Sequence, residues 1–299
     1  MRRLLAVQAQ DLRAARLALR ARGVATAAEI DAALTDTREL VVAWLNRGTL
    51  HLVHRDDYAW LLALTAPPRF TSNARRLRQE GVSPDDAERA VAAVERALAD
   101  EGPLTRPELA ERMAAHGIRT AGQATPHLLM LAALRGVAVL TGEAYALTRD
   151  WLGEEPAVPD RDEALAELGR RYLAGHAPAG PGDLAQWAGI GKRDATAALQ
   201  AAGTAGPAET DPVGPRLLGA FDPYLLGWRD RSFAVAPEHA KAVHPGGGII
   251  RAAATVDGRV VGTWAAPNGQ VSLELFEGTP ERFAGEVGAI AAFQRKNRA

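Results

Sequence analysis

The chain has 299 residues, with 35 Lys and Arg against 36 Asp and Glu, 47% hydrophobic residues, only 5% aromatics and no cysteine. This is the composition of a folded chain long enough for two or more compact units, and it excludes a disulfide framework, a thiolate metal site and a cysteine nucleophile. No apolar run approaches the roughly 20 residues that span a bilayer and no secretory signal precedes the first helix, so the sequence predicts a cytoplasmic protein without a membrane partner.

In chain order, MRRLLAV leads into VQAQ, where Gln8 and Gln10 stand one residue apart. Asp11 is a good N-cap, residues 12–22 are helical in pattern, and Gly23 supplies a stop. The two glutamines therefore fall in the entry to that helix. In an extended connector, residues i and i+2 project to one side, whereas in a helix they diverge by about 200°. Two amides facing one spot offer acceptor and donor together; they can equally be exposed polar residues near a frayed end. A threonine-capped helix follows over 25–34 (ATAAEIDAAL). The apolar run 41–46 then reads as a helix stopped by Arg47-Gly48 and passing into a strand through Val53. Residues 66–82 read as a linker, 84–100 as a long helix, and 104–113 (LTRPELAERM) as a second capped helix. The run 129–134 reads as a helix stopped by Arg135-Gly136, with a strand to 141. A second linker over 153–160 gathers Glu154, Glu155 and Asp160, with Asp162 and Glu163 just beyond.

Setting VVAWLNRGTLHLV (41–53) beside LMLAALRGVAVLT (129–141) suggests an internal repeat: helices, a glycine stop, a strand, a turn and a strand. That order is a winged helix. An eroded third copy runs through helices at 162–175, 182–187 and 192–202, with Gly203 as its stop. Beyond Gly206, residues 249–256, 259–265 and 270–276 read as strands joined by Asp257-Gly258 and Asn268-Gly269, which are strong hairpin signals. A last helix covers 280–295. The predicted fold is mainly α with α+β elements. It comprises winged helix 1 over 1–66, winged helix 2 over 83–152, winged helix 3 over 161–206 with an eroded wing, and a C-terminal antiparallel β domain over 207–299.

Although the net charge is only -1, arginine is unevenly spread: Arg2, Arg3, Arg13, Arg16, Arg20 and Arg22 face a single acid, Asp11, and Arg69, Arg75, Arg76 and Arg78 cluster again. Either these are solvated helix faces or they meet a polyanion, since steering depends on distribution rather than sum. On the second reading Arg13 and Arg16 contact phosphates. Arg47, Thr49, His51 and Arg55 surround the first wing, either meeting backbone phosphates or lining a pocket; alternatively Thr49 and His51 are ordinary outward residues of a strand whose Leu50 and Leu52 point inward. Arg229 and Arg231 flank Asp230 in GWRDR, which fits a structural corner at Asp230 and DNA contact at the arginines. The Gly246-Gly247-Gly248 stretch reads as a loop rather than a nucleotide fingerprint, and none of the seven histidines has metal-ligand spacing.

Four segments together, VQAQDLRAARLALRARG (7–23), RGTLHLV (47–53), AFDPYLLGWRDR (220–231) and DGRVVGTW (257–264), resemble the AlkZ-type winged-helix DNA glycosylases, which include the YcaQ-like proteins. The resemblance covers nearly the whole chain. It implies three tandem winged helices and a β-rich domain around duplex DNA, with Gln8 and Gln10 in the positions of the catalytic glutamines. It further implies a monomeric, cofactor-free, nucleoid-associated enzyme that excises alkylated purines from double-stranded DNA. Some members unhook interstrand crosslinks made by alkylators of the azinomycin type. Glutamine suits this chemistry: an N7-alkylated purine is cationic and leaves readily, so positioning a water can replace a strong base. Winged helices without the chemistry would make a non-catalytic DNA-binding protein or a regulator; the glutamines favour the enzyme. Family members carry about one more helix and arm ahead of the glutamines. With only MRRLLAV there, either the true start lies upstream of Met1 or the first unit lacks part of its core.

Overall fold

The computed structural model describes residues 1–153, 159–203 and 213–295. Most of the expected acidic linker, including Glu154 and Glu155, and the boundary near 206 lie outside the described residues. The chain begins β1 (Ala6–Gln8), α1 (Leu12–Arg20), α2 (Ala27–Thr35), β2 (Leu40–Trp44), β3 (Leu50–His54), α3 (Arg55–Thr65) and α4 (Pro67–Gln79). It continues α5 (Pro84–Glu101), β4 (Leu104–Thr105), α6 (Arg106–Ala115), α7 (Ala124–Leu134), β5 (Ala138–Thr141), β6 (Ala144–Leu147) and α8 (Thr148–Leu152).

The run expected as a helix over 41–46 is instead strand β2. Leu40–Trp44 is too short for a helix, holds two valines and a tryptophan, and is buried on both faces, so no alternation marks it as a strand. Arg47-Gly48 is accordingly not a helix stop. It is the tip of the β2–β3 hairpin, with φ of 60° at Arg47 and 76° at Gly48, the left-handed pair such a tip requires. The second Arg-Gly does end a helix, α7, before β5. The correspondence between the two units is therefore shifted from the one the sequence suggested. β1–α1–α2–β2–β3 answers β4–α6–α7–β5–β6, and in each unit the first strand pairs with the second hairpin arm. Residues 66–82 also differ from expectation. Most of them form α4, which accepts Pro67 and Pro68 because they fall in its first turn. Its polar sequence reads as a linker because Asn73 and Leu77 are its only buried residues.

The two hairpins join where Val42 pairs with Leu140, giving one six-stranded sheet of order β1-β3-β2-β5-β6-β4. Both faces are covered. Val7, Val42 and Leu52 point into a core with α1, α2 and α5–α7. Ala6, Val41 and Val53 point into a second core with α3 and the helices that follow, α9 (Arg161–His176) and α10 (Pro181–Ala188). The helix α11 (Lys192–Ala202) crosses α9 so closely that a Cβ on Gly169 would sit 2.1 Å from the Ala198 carbonyl oxygen.

The C-terminal part holds β7 (Pro215–Leu218), α12 (Pro223–Leu226), α13 (Ala240–Val243), β8 (Ala253–Val256), β9 (Arg259–Ala265), β10 (Ser272–Leu275) and α14 (Ala284–Arg295). Its strands form an antiparallel sheet of order β10-β9-β8-β7. Asp257 and Gly258 turn β8 into β9 with φ of 48° and 80°, as the hairpin signal predicted. This part is fastened to α1. Arg20 donates to both Glu286 oxygens at 3.0 and 3.1 Å, Arg22 to both oxygens of Asp222 at 3.0 and 2.7 Å, and Phe293 of α14 enters the core around α1 and α2. Ahead of the glutamines, Leu5, Ala6 and Val7 are buried, so the short opening segment is itself core. Among the described residues, no helix is long and apolar enough to cross a membrane.

Candidate active site

Gln8 closes β1 opposite His51 of β3. The ladder extends one more step, with the Ala9 N–H donating to Leu50 O at 2.8 Å. Asp11 then caps α1, its carboxylate accepting from Arg13 N at 2.8 Å. Gln10 thus sits in the bend between a strand end and a helix cap, as the sequence indicated. Gln8 is half-buried and Gln10 exposed. Each carbonyl is already held: Gln8 Oε1 accepts from Arg47 Nη2 at 2.8 Å, and Gln10 Oε1 accepts from Leu50 N at 2.6 Å.

Arg47 reaches Gln8 from the tip of the β2–β3 hairpin, and its Nη1 donates to Trp187 O at 2.5 Å near the C-terminal end of α10. The hairpin tip is pressed onto that end: a Cβ on Gly189 would fall 2.5 Å from Arg47 N. Arg69 of α4 completes the corner, donating to Arg47 O at 3.4 Å and Gly189 O at 3.3 Å. Burial lowers the Arg47 pKa to about 10, and the positive charge of Arg231 adds to the effect; the guanidinium still stays charged at neutral pH. Arg231 is half-buried, donates through Nε to Leu225 O at 2.5 Å, and is also shifted downward, chiefly by burial. The Asp230 carboxylate acts on Arg231, but no acid offsets the shift at Arg47. Gln8 therefore faces a locally positive corner of a chain whose net charge is -1.

The other residues singled out in the sequence divide. His51 is only 2% exposed, on the sheet face that α9 and α10 cover, because neither face of this sheet meets solvent. Burial, and then the Arg47 charge, hold its pKa down at about 3, so it is neutral, with Nδ1 3.0 Å from Thr49 O. It is neither an outward strand residue nor a group a phosphate can reach. Thr49 Oγ1 donates to Asn46 O at 3.1 Å within the hairpin tip. Arg55 donates to the carbonyl of Leu152 at the end of α8. Arg16 pairs with Asp31, its Nε at 2.9 Å, whereas Arg13 is exposed with no carboxylate partner among the described residues. Arg229 is exposed beside Gly182 and Lys192, its backbone N–H held by Asp183 at 3.0 Å. Asp230 accepts from Ser232 N at 2.9 Å and Ser232 Oγ at 2.8 Å, a structural corner as expected. The glycine stretch 246–248 is a left-handed turn closed by Ile249 N to Gly246 O at 3.1 Å. Sequence reasoning missed Trp187, Gly189 and the inward role of Arg69. Nothing local links them to Gln8; only the packing of α10 on the hairpin does.

The family model described as DNA glycosylase AlkZ-like matches residues 1–295. The chain is 28% identical over 282 residues to an interstrand DNA cross-link repair glycosylase of Streptomyces sahachiroi, a match covering 80% of this chain and 74% of that protein. The fold matches that of Streptomyces sahachiroi DNA glycosylase AlkZ with a TM-score of 0.78 and 26% identity, covering 98% of this chain and 89% of that one.

Proposed function

This chain belongs to the AlkZ-like DNA glycosylase family, and from that premise we propose that it excises N7- or N3-alkylated purines from duplex DNA, interstrand crosslinks among them, with Gln8 and Gln10 holding the attacking water. We read β1–β3 with α1 and α2, and β4–β6 with α6 and α7, as two winged helices over 1–66 and 83–152. On this reading α9–α11 form a third over 161–206, and residues 207–299 close the enzyme on double-stranded DNA as a monomer.

The observation that carries the reading is the pair of anchored carbonyls. A carbonyl oxygen has two lone pairs, so each glutamine keeps one for a water proton while its geometry is fixed. Such a weak acceptor cannot drive off a neutral base. An N7- or N3-alkylated purine is cationic while attached, however, and takes the bonding pair to leave as a neutral base; the sugar drifts toward an oxocarbenium ion, so holding the water beneath the anomeric carbon suffices. The positive charge of Arg231 beside this corner suits the phosphates that flank an extruded nucleotide. A lyase step would need an amine at the sugar. The chain has three lysines: Lys192 and Lys241 lie on α11 and α13, off the elements that build the glutamine site, and Lys296 lies outside the described residues.

The direct test is a duplex with a single N7-methylguanine. Free base should be released and an abasic site left, with strand breaks only after heat or alkali; a crosslinked duplex should be unhooked. Failure to release any N7- or N3-alkylpurine under conditions where the duplex is bound would overturn the reading.

Binding itself should weaken as salt rises, with a slope set by the phosphates neutralised. Arg16 is occupied by Asp31 and Arg20 by Glu286, which leaves Arg13 as the cation of α1 without a carboxylate partner among the described residues. Arg13→Ala should lower affinity uniformly across sequences and reduce the slope by roughly one unit. Fluorescence anisotropy across a salt series measures both, and an unchanged slope would remove Arg13 from the interface.

A further inference from the structure

We propose that Arg47 is a positioning residue for the glycosylase reaction: it fixes which way the Gln8 amide faces and ties Gln8 to α10, rather than gripping a phosphate. The proposal rests on the reading that Gln8 acts on the water.

A guanidinium has donors only. The atom 2.8 Å from Arg47 Nη2 must therefore be the Gln8 carbonyl oxygen, not its NH2; the partner's chemistry decides the amide orientation. The backbone N–H of Leu50, also a donor only, decides it for Gln10. Arg47 has little freedom to do otherwise. Its backbone is left-handed, with φ of 60°, at a residue that is not glycine. Gly189 leaves no room behind it, since an added Cβ would be 2.5 Å from Arg47 N and 2.8 Å from its Cα. Its second amino group is spent on Trp187 O at 2.5 Å, a carbonyl in the last turn of α10, where helix carbonyls lack intrahelical donors. A side chain held at both ends and largely buried is poorly placed to follow a mobile phosphate.

Removing Arg47 frees the Gln8 amide to turn over. Its NH2 would then stand where the water needs an acceptor, and a misdirected water is unproductive even when DNA is fully bound. The loss should therefore appear in the rate at saturation and not in affinity.

The test uses the full chain under single-turnover conditions with an N7-methylguanine duplex. Arg47→Ala should slow excision by roughly 100-fold, with duplex affinity and salt slope unchanged. Arg47→Lys should recover part of the rate, because an ammonium can donate to Gln8 but cannot span to Trp187 as well. Gln8→Ala/Arg47→Ala should be no slower than Gln8→Ala alone, since Arg47 acts through Gln8. Should Arg47→Ala not fold, Arg47→Lys takes its place in the same cycle. Weaker binding and a shallower salt slope with an unchanged saturating rate would make Arg47 a phosphate contact and overturn the proposal. Independent, additive losses would overturn it too. Wild-type excision by Gln8→Ala would instead strike the glutamine reading itself, which separates the two failures.

Discussion

Replacing both Gln8 and Gln10 with alanine is expected to eliminate excision while duplex binding persists. Each amide is a positioned hydrogen-bonding group at the reacting centre, and losing one such group typically costs about 2–4 kcal/mol at the barrier, or roughly one and a half to three powers of ten in rate. The two single losses should not add, because both side chains hold one water and neither alone defines its place. The anchors make the two variants unequal in one respect. Gln8→Ala strips a buried partner from Arg47, whereas Gln10→Ala frees only a backbone N–H at the sheet margin, so Gln8→Ala should carry the larger stability cost. Single-turnover base release, with binding measured alongside by anisotropy, checks both claims. Undiminished excision by the double variant would end the glutamine mechanism.

The second large effect is expected at the joint between α1 and the C-terminal sheet. Asp222 has no exposed side-chain area, and Arg22 grips both its oxygens. Removing one partner of a buried pair leaves the other charge uncompensated, at a cost of about 3–5 kcal/mol. Arg22→Ala should fall at the low end, because Asp222 still accepts from Tyr224 N at 2.8 Å. Adding Asp222→Asn should return part of the loss by removing the stranded charge. The catalytic rate should fall as well, since α1 and the glutamine bend are one continuous segment. Equilibrium denaturation decides the matter: a change within about 0.5 kcal/mol, ordinary for a surface substitution, would mean that the pair does not fasten α1.

Much of this was legible in the sequence wherever the signal was local. Asp11 announces the cap and with it the glutamines' place in the entry to α1, Gly203 the end of α11, and Asp257-Gly258 the hairpin. The errors share a physical origin. A strand buried on both faces has no polar alternation, so Leu40–Trp44 reads as helical in sequence, and the Arg-Gly after it as a helix stop. A polar helix with only Asn73 and Leu77 buried looked like a linker. Of the alternatives for His51, the outward strand residue fails because the alternation of Leu50 and Leu52 says which residues share a side, not whether the other side is covered. The roles of Trp187, Gly189 and Arg69 at the site arise from packing between distant segments, and no window of sequence contains them.

The Val42–Leu140 pairing has a further consequence for how the chain tolerates being cut. Severed near Val82, the first unit would present β2 as a bare sheet margin, its amides and carbonyls unpaired, and a second copy could dock there strand to strand. The same cut would bare β5 on the other fragment. The first half of the enzyme is thus expected to resist dissection into its two apparent modules and to precipitate when halved. The smallest piece that can be produced on its own is the one that keeps both hairpins together.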